Sequence, residues 1–598
     1  MHSELLDFLK TNKIFSGLNE DTIQQLQDKL TKIDLHFDDI LFQQSDTPDA
    51  VYFLIQGKLE VSIITPNNQV KIVGHIDAGE VVGELAALAN EPYPYTAKAL
   101  RHCAVYKLQK KDFLELCYQY PTSMFETIYP LLAQSNNIIQ LLSTEDSHNS
   151  IVITPANKNV SMHEFAEKLT SILLKNENIL LFSDYIHAND SDLVNKINHA
   201  EQYKKPSQQI IYLLKSSHTP LANIALTKAD KFYLVANALS EPLIDPVIKE
   251  YLRRNKYGST LLPNLIMIHP ATTQMPRDTT VWLQQIPFNM HHHVRVDLPR
   301  HYERLIRFLQ DNANGLVLGG GGTRGWGHIG AIKALCDQEH PIDFIGGTSV
   351  GAIIGGCYAM RESYEDTYTK FNKIVSTSKH SISWRSITLP IVSVFDAKSF
   401  TNANLEVFEN SLIEDLWLPF FCVSSNLTNY TEEIHKYGLL WERVRASSSI
   451  PGLIPPMVIQ GDIHFDGGLL NNLPVDIMWQ LIGRKGKIIG IELNASMHDH
   501  HKYHFPPILG FKQAITTKMG VHKQLYKFPR FVDLFLGGLL VGSSAKAKQN
   551  GQSATILVNL SLKKFSLLKF SQKQAQKMIE IGFLETMSQL HQYENRNL

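Results

Sequence analysis

Three runs of hydrophobic periodicity divide the chain. Up to about Leu142, an opening helical pattern gives way to short alternating stretches broken by glycine, VYFLIQGKLEVSII (Val51 to Ile64) being the clearest. Period-two alternation bounded by turn residues predicts strands, here a β-sandwich or jelly-roll with flanking helices over 1–142. The polar stretch Ser143 to Ser150 reads as a linker. Over 151–310, the apolar runs IVITP, ILLFSD, QIIYLL, FYLVAN and NLIMIHP alternate with amphipathic stretches such as MHEFAEKLTSILL. That order predicts a middle α/β domain with a parallel sheet, because parallel strands need a crossover, usually helical. After DNANG (Asp311 to Gly315) the alternation resumes, gathers the glycine clusters, and predicts a second α/β domain over 311–598.

Composition narrows the function. The 598 residues exceed what one core supports, so several domains are expected. The 57 basic residues nearly cancel the 58 acidic ones and no basic stripe stands out, which argues against nucleic acid as a partner. The five cysteines include no CxxC pair, so neither a disulfide framework nor a zinc site is indicated. The start, MHSELLDFLKTNKIF, lacks the plan of a signal peptide, and the apolar run Leu534 to Gly542 is too short to span a bilayer. A cytoplasmic protein is expected, with any membrane contact peripheral, at the inner face. The run His291 to His293 diverges on a strand or a helix, so it reads as polar surface and not as metal ligands.

Chemistry concentrates in the third segment. In PIDFIGGTSVGAIIGGCYAM an apolar strand ends at Gly346, and Gly347-Thr348-Ser349-Val350-Gly351 leads into a small-residue helix. G-x-S-x-G between strand and helix is a nucleophile elbow, which lifts Ser349 to a helix N-terminus where partial positive charge favours an alkoxide. Upstream, LVLGGGGTRGWGHIGAIKAL runs a strand into Gly320, Gly321, Gly322, Thr323, Arg324 and Gly325. Its spacing fits a dinucleotide-binding G-x-G-x-x-G and also an oxyanion hole built from bare amides; the serine elbow favours acyl transfer. Downstream, GDIHFDGGLLNNLPVD sets Asp466 before Gly467 and Gly468, where the missing side chains permit close approach.

These three motifs, with VRASSSIPGLIPPMVI (Val444 to Ile459), resemble the patatin-like phospholipases in order and context. With its two leading domains, the arrangement resembles the bacterial relatives of neuropathy target esterase. The resemblance covers most of Gly315 to Leu598 and is weakest after Met497. It implies a Ser–Asp dyad: Ser349 attacks the ester carbonyl, Asp466 accepts its proton, and the amides of Gly320, Gly321 and Gly322 hold the oxyanion. No metal or organic cofactor is implied. Aspartate is a weak base in water, so burial must raise its pKa. The rival is a Ser–Asp–His triad drawing on His498, His500, His501, His504, His522 or His591; His328 and His464 read as packing residues.

IQGKLEV (Ile55 to Val61) and DAGEVVGELAALANEPYPYTAKAL (Asp77 to Leu100) resemble a cyclic-nucleotide-binding domain, with Gly83, Glu84 and Leu85 at its G-E-L positions. In that family an arginine grips the cyclic phosphate, and here Tyr93 stands in its place. Lys98 lacks the planar fork, so cyclic-nucleotide binding is doubtful. The resemblance implies a phospholipid or lysophospholipid substrate, the single-chain lipid being preferred. A broader phospholipase A and a non-catalytic sensor or adaptor are the alternatives. The stretch Leu525 to Gly542 mixes basic and apolar residues and would suit a lipid surface, although core packing reads better.

Overall fold

The computed structural model describes residues 26–27, 29–64, 70–89, 91–119, 150–160, 162–186, 193–203, 208–255, 262–378, 386–389, 391–483, 485–493, 531–567 and 571–597. The N-terminal segment, the linker up to residue 149, and residues 525–530 of the basic-apolar stretch lie outside the described residues. Contacts divide the chain into two compact units, Met1–Ser147 and His148–Leu598. Among the described residues no helix is long and apolar enough to cross a membrane.

The first unit is the predicted sandwich. One sheet orders Thr31–Leu35, Cys103–Gln109, Ala50–Gln56 and Val81–Val82; the other orders Ile40–Phe42, Thr96–Ala99, Lys58–Ile64 and Val70–Asp77. Every pairing is antiparallel. Gly57 joins the strands Ala50–Gln56 and Lys58–Ile64 at φ +112°, and a Cβ there would lie 2.4 Å from Cys103 Sγ, so the turn needs glycine. Leu54, Leu59, Val61 and Val105 fill the space between the sheets.

The second unit opens with a six-stranded sheet ordered Ile179–Ser183, Gln209–Leu213, Ser150–Pro155, Lys231–Asn237, Asn264–His269 and His291–Arg295, all parallel. Its strands are apolar throughout because both faces are covered. Ile151 and Ile153 join one core, Val152 the other. The histidine run corrects the expectation of polar surface. His291–Arg295 is the edge strand, with His292 and His293 only 3% and 2% exposed. Alternation sends His292 onto Phe308, at 4.6 Å between rings, while His291 and His293 both donate from Nε2 to the carbonyl of Glu414, at 3.0 and 2.8 Å. Burial holds all three imidazoles neutral, with the pKa of His291 lowered to about 4 and that of His292 to about 3. Sequence hid this because the covering segment, around Glu414, lies more than a hundred residues downstream.

The third segment forms a mixed sheet ordered Met457–Ile459, Asp462–Asp466, Phe420–Asn426, Phe344–Thr348, Asn314–Leu318, Lys487–Glu492 and Ile556–Asn559, with Thr431–His435 also paired to Phe420–Asn426. From Asn314–Leu318 the chain builds first to one side and later to the other. The loops after neighbouring parallel strands therefore open at one edge, where α/β sheets place their sites. The C-terminal helix Gln572–Asn597 packs on Trp326–Asp337. A Cβ on Gly330 would sit 1.9 Å from the carbonyl of Ile579, and one on Gly582 would sit 2.0 Å from that of Gly327, so the helix backbones touch.

Candidate active site

Strand Phe344–Thr348 ends at the helix Val350–Arg361, and Ser349 makes the corner with φ +55° and ψ −122°. Such a backbone costs a non-glycine residue roughly 1–3 kcal/mol, which the surrounding packing must hold in place. The flanking glycines make the corner fit: a Cβ on Gly351 would lie 2.1 Å from the carbonyl oxygen of Leu318, and one on Gly347 2.7 Å from the same atom. The Ser349 amide donates to Ser447 Oγ at 3.0 Å, which fixes the corner from the opposite side.

Asp466 reaches the serine through sheet register. Thr348 pairs with Val423, and the next residue, Ser424, pairs with Asp466 across the antiparallel strand. Gly467 follows, and a Cβ there would lie 2.2 Å from the carbonyl of Val423. The hydroxyl of Ser349 donates to Asp466 Oδ2 at 2.6 Å, and the Gly468 amide donates to Oδ1 at 2.8 Å. Both residues are buried, at 9% and 8% exposure. Burial raises the Asp466 pKa to about 6, against the two hydrogen bonds, which lower it. The carboxylate is thus a better base than free aspartate, yet still ionised at neutral pH.

The glycine loop lies beside this pair. A Cβ on Gly320 would stand 3.2 Å from Ser349 Cβ and 2.5 Å from Asn472 Oδ1. The Gly320 amide donates to the Asn472 carbonyl at 3.2 Å, so it is engaged in this state. Among the described residues the amides of Gly321 and Gly322 have no acceptor. Arg324 sends Nε to the carbonyl of Phe565 at 3.1 Å, and Thr323 Oγ1 donates to that of Ser566 at 2.6 Å, which ties the loop to the C-terminal segment. Gly325 lies against Val350, where a Cβ would meet Cγ2 at 2.3 Å.

No histidine bridges to Asp466 among the described residues, whose two carboxylate oxygens are held by Ser349 and Gly468. His464 and His435 share Ser424 Oγ, at 2.9 and 2.7 Å, and His591 lies on the exposed side of the C-terminal helix. His328 Nε2 donates to the Gly319 carbonyl at 2.8 Å, and burial lowers its pKa to about 4; it props the glycine loop as a neutral donor. His498, His500, His501, His504 and His522 lie outside the described residues.

Ser447, Asn472 and Asn550 are supporting residues that sequence reading did not single out. Asn550 donates to the carbonyl of Leu473 at 2.9 Å and to Asp476 Oδ1 at 2.8 Å, bracing the turn after Asp466. The only signal for Ser447 is its place in the run Ser447-Ser448-Ser449, which precedes the aspartate motif. Helix Phe531–Ser553 carries the rest of the basic-apolar stretch, where Val541 is exposed.

The sandwich contrasts with this site. Gly83 has φ +88°, and Glu84 begins the helix Glu84–Ala89; Leu85 lies in that helix, its side chain outside the described residues. Tyr93, expected at the arginine position, turns inward: it is 2% exposed, stacks on Phe42 at 3.9 Å, and donates to the Ala50 carbonyl at 2.8 Å. Lys98 pairs with Asp38 at 2.8 Å. Glu84 is buried with Oε2 lacking a partner, and burial raises its pKa to about 7.

A strand-flanked serine corner, a glycine loop and an Asp-Gly-Gly turn on one α/β sheet place the third segment in a known class. Residues 316–479 match the family of patatin-like phospholipases. Residues 33–120 match the cyclic nucleotide-binding domain, and 147–316 match the Neuropathy Target Esterase family P-loop like domain. The chain therefore carries a patatin-like phospholipase domain behind those two; the motif-based resemblance of the first and third segments is borne out, as is the resemblance of the whole arrangement to relatives of neuropathy target esterase. It is 28% identical to Lysophospholipase NTE1 of Yarrowia lipolytica over 73% of this chain and 37% of the relative. It is 29% identical to human Patatin-like phospholipase domain-containing protein 6, over 73% and 36%. Against Neuropathy target esterase sws of Drosophila grimshawi, identity is 27% over 77% and 35%. The chain thus spans little more than a third of the length of these relatives.

Proposed function

We propose that the chain is a serine lipid-ester hydrolase of the lysophospholipase type, with Ser349 as nucleophile and Asp466 as base. The observation that carries this reading is the 2.6 Å hydrogen bond from a strained, buried serine to a carboxylate made more basic by burial. As Ser349 Oγ attacks the ester carbonyl carbon, its proton passes to Asp466 Oδ2. The carbonyl oxygen becomes an oxyanion beside the amides of Gly321 and Gly322, joined by Gly320 once its amide leaves the Asn472 carbonyl. Collapse breaks the ester C–O bond, and Asp466 returns the proton to the departing alcohol. Water then attacks the acyl carbon and gives a proton to Asp466; the bond to Ser349 Oγ breaks, the fatty acid leaves, and Asp466 returns that proton to Ser349 Oγ. Each oxyanion donor supplies roughly 3 kcal/mol in acyl-transfer enzymes, so the loop carries much of the rate.

The relatives' names, lysophospholipase and patatin-like phospholipase, support a lipid ester as substrate. We assign domain limits of 1–142, 151–310 and 311–598, with 143–150 between them, and a cytoplasmic protein whose membrane contact is peripheral. The sandwich is read as a scaffold or sensor that does not take cyclic nucleotide in the usual way, since Tyr93 is packed into the core where an arginine would meet phosphate. Fatty-acid release from matched one- and two-chain phospholipids tests the activity. The one-chain lipid is hydrolysed faster, and Ser349→Ala lowers turnover roughly 10⁴-fold or more. Faster release from the two-chain lipid would move the reading to a broader phospholipase A. Equal rates in native and Ser349→Ala chains would remove the enzymatic reading.

A further inference from the structure

The six-stranded sheet and the hydrolase sheet meet at a cavity of about 40 Å³, partly open to solvent. Met290, Phe344, Phe420 and Leu481 give it apolar walls, and Lys436 and Tyr437 stand at it as polar groups. It is separate from the serine site. Phe344 and Phe420 are the first residues of their parallel strands, whereas Ser349 follows the last residue of one. At about 3.3 Å per residue, roughly 15 Å of strand lies between cavity and serine.

Lys436 is the unusual group. Two arginines near this seam are matched: Arg304 pairs with Glu362 at 2.8 Å, and Arg307 pairs with Asp343 at 2.7 Å. Lys436 is a partly buried residue and, among the described residues, its ammonium has neither an ion-pair nor a hydrogen-bond partner. Its pKa falls through burial, with no carboxylate near enough to restore it. Glu414, whose charge acts on Tyr437, spends its two carboxylate oxygens on Thr280 Oγ1 and the Gly438 amide. A cation held against apolar walls without a counter-ion is costly, and an arriving anion offsets that cost.

We propose that this seam cavity binds a carboxylate-headed amphiphile, with Lys436 and Tyr437 holding the head and Met290, Phe344, Phe420 and Leu481 the first carbons of the tail. The volume suits about three waters, which fits a head group and its nearest carbons while the rest of the tail lies along the open side. A fatty acid has this chemistry, and hydrolysis of a lipid ester releases one. That source rests on the hydrolase reading; the chemistry of the cavity does not.

Calorimetric titration of the full chain carrying Ser349→Ala tests the proposal, with octanoate as probe, octanol as the control without charge and acetate as the control without a tail. Octanoate is expected to saturate one site, at least tenfold tighter than either control. Adding Lys436→Gln should weaken it at least tenfold with the thermal midpoint unchanged, while Lys436→Arg should retain it. If Lys436→Gln fails to fold, Tyr437→Phe replaces it, with a loss of several-fold expected. Absence of octanoate binding, equal binding of octanol, or binding indifferent to both the lysine and tyrosine substitutions overturns the proposal. Lipid hydrolysis by the native chain is measured separately, so the cavity and the hydrolase reading can each fail alone.

Discussion

Glu84 in the sandwich and Asp466 in the hydrolase unit are both buried carboxylates, and burial pushes both pKa values up, to about 7 and about 6. Their surroundings differ. Asp466 has a hydroxyl on one oxygen and an amide on the other, and the hydroxyl belongs to a serine held on a strained corner. Glu84 has one oxygen with no partner, and Tyr93, which lies against the neighbouring Gly83, is stacked on Phe42. Desolvation alone therefore makes a carboxyl group that prefers to stay protonated. Chemistry needs the further placement of a proton donor and of acceptor-free amides beside it. The same contrast separates two glycine-framed motifs of similar appearance in the sequence, one built around a hydrogen-bonded serine and aspartate and one closed around aromatic rings.

The largest effect that would break this comparison concerns Asp466. Asp466→Asn keeps the size of the side chain but cannot accept the serine proton, and kcat/KM should fall roughly 10³-fold or more. In the native chain kcat/KM should rise through pH 6 as Asp466 loses its proton and then level off, because only the ionised form is a base. A flat profile between pH 5 and about 7 would mean that another group takes the proton.

The next effect concerns Glu84. Its folded pKa, about 7, lies above the 4.5 of a free glutamate, so the folded state holds the proton longer than the unfolded one. The contribution of Glu84 to the stability of the sandwich is therefore full below pH 4.5, is lost progressively as pH rises to about 7, and stays level above that, a fall of roughly 3 kcal/mol. Glu84→Gln should abolish this slope in thermal unfolding of the full chain. In the same preparation, titration with cAMP should give no micromolar binding; binding of that strength would put the two sites on an equal footing.

A smaller effect sharpens the supporting role of Ser447. Ser447→Ala strands the Ser349 amide, at a cost of about 1–3 kcal/mol for a buried donor. We expect kcat/KM to fall about tenfold while the pH midpoint stays where it is. A shifted midpoint would place Ser447 in the electrostatics of Asp466 and not in the corner.

Much of the site is readable in sequence because glycine is demanded locally. Gly351 and Gly467 pass within van der Waals contact of backbone carbonyls, and such positions leave a mark that any chain of this kind must carry. The strand–helix alternation of both α/β segments and the turn at Gly57 are legible for a similar reason: periodicity and turn residues are local signals. What is not legible depends on contacts between distant stretches. Ser447, Asn472 and His328 act on the corner and the glycine loop through single hydrogen bonds that no spacing announces. The burial of His292 and His293 depends on Phe308 and Glu414, and the touching helices at Gly330 and Ile579 are some 250 residues apart in sequence. Small residues at Gly327 and Gly330, three apart on one helix, are the trace such a contact leaves.

Covalent labelling with a fluorophosphonate, followed by peptide mass analysis, tests the central claim most directly. The proposed dyad predicts a single stoichiometric adduct on Ser349, absent in Ser349→Ala and formed at least a hundredfold more slowly in Asp466→Asn. An adduct on another residue, or labelling of Ser349 at an unchanged rate when Asp466 is replaced, would contradict it.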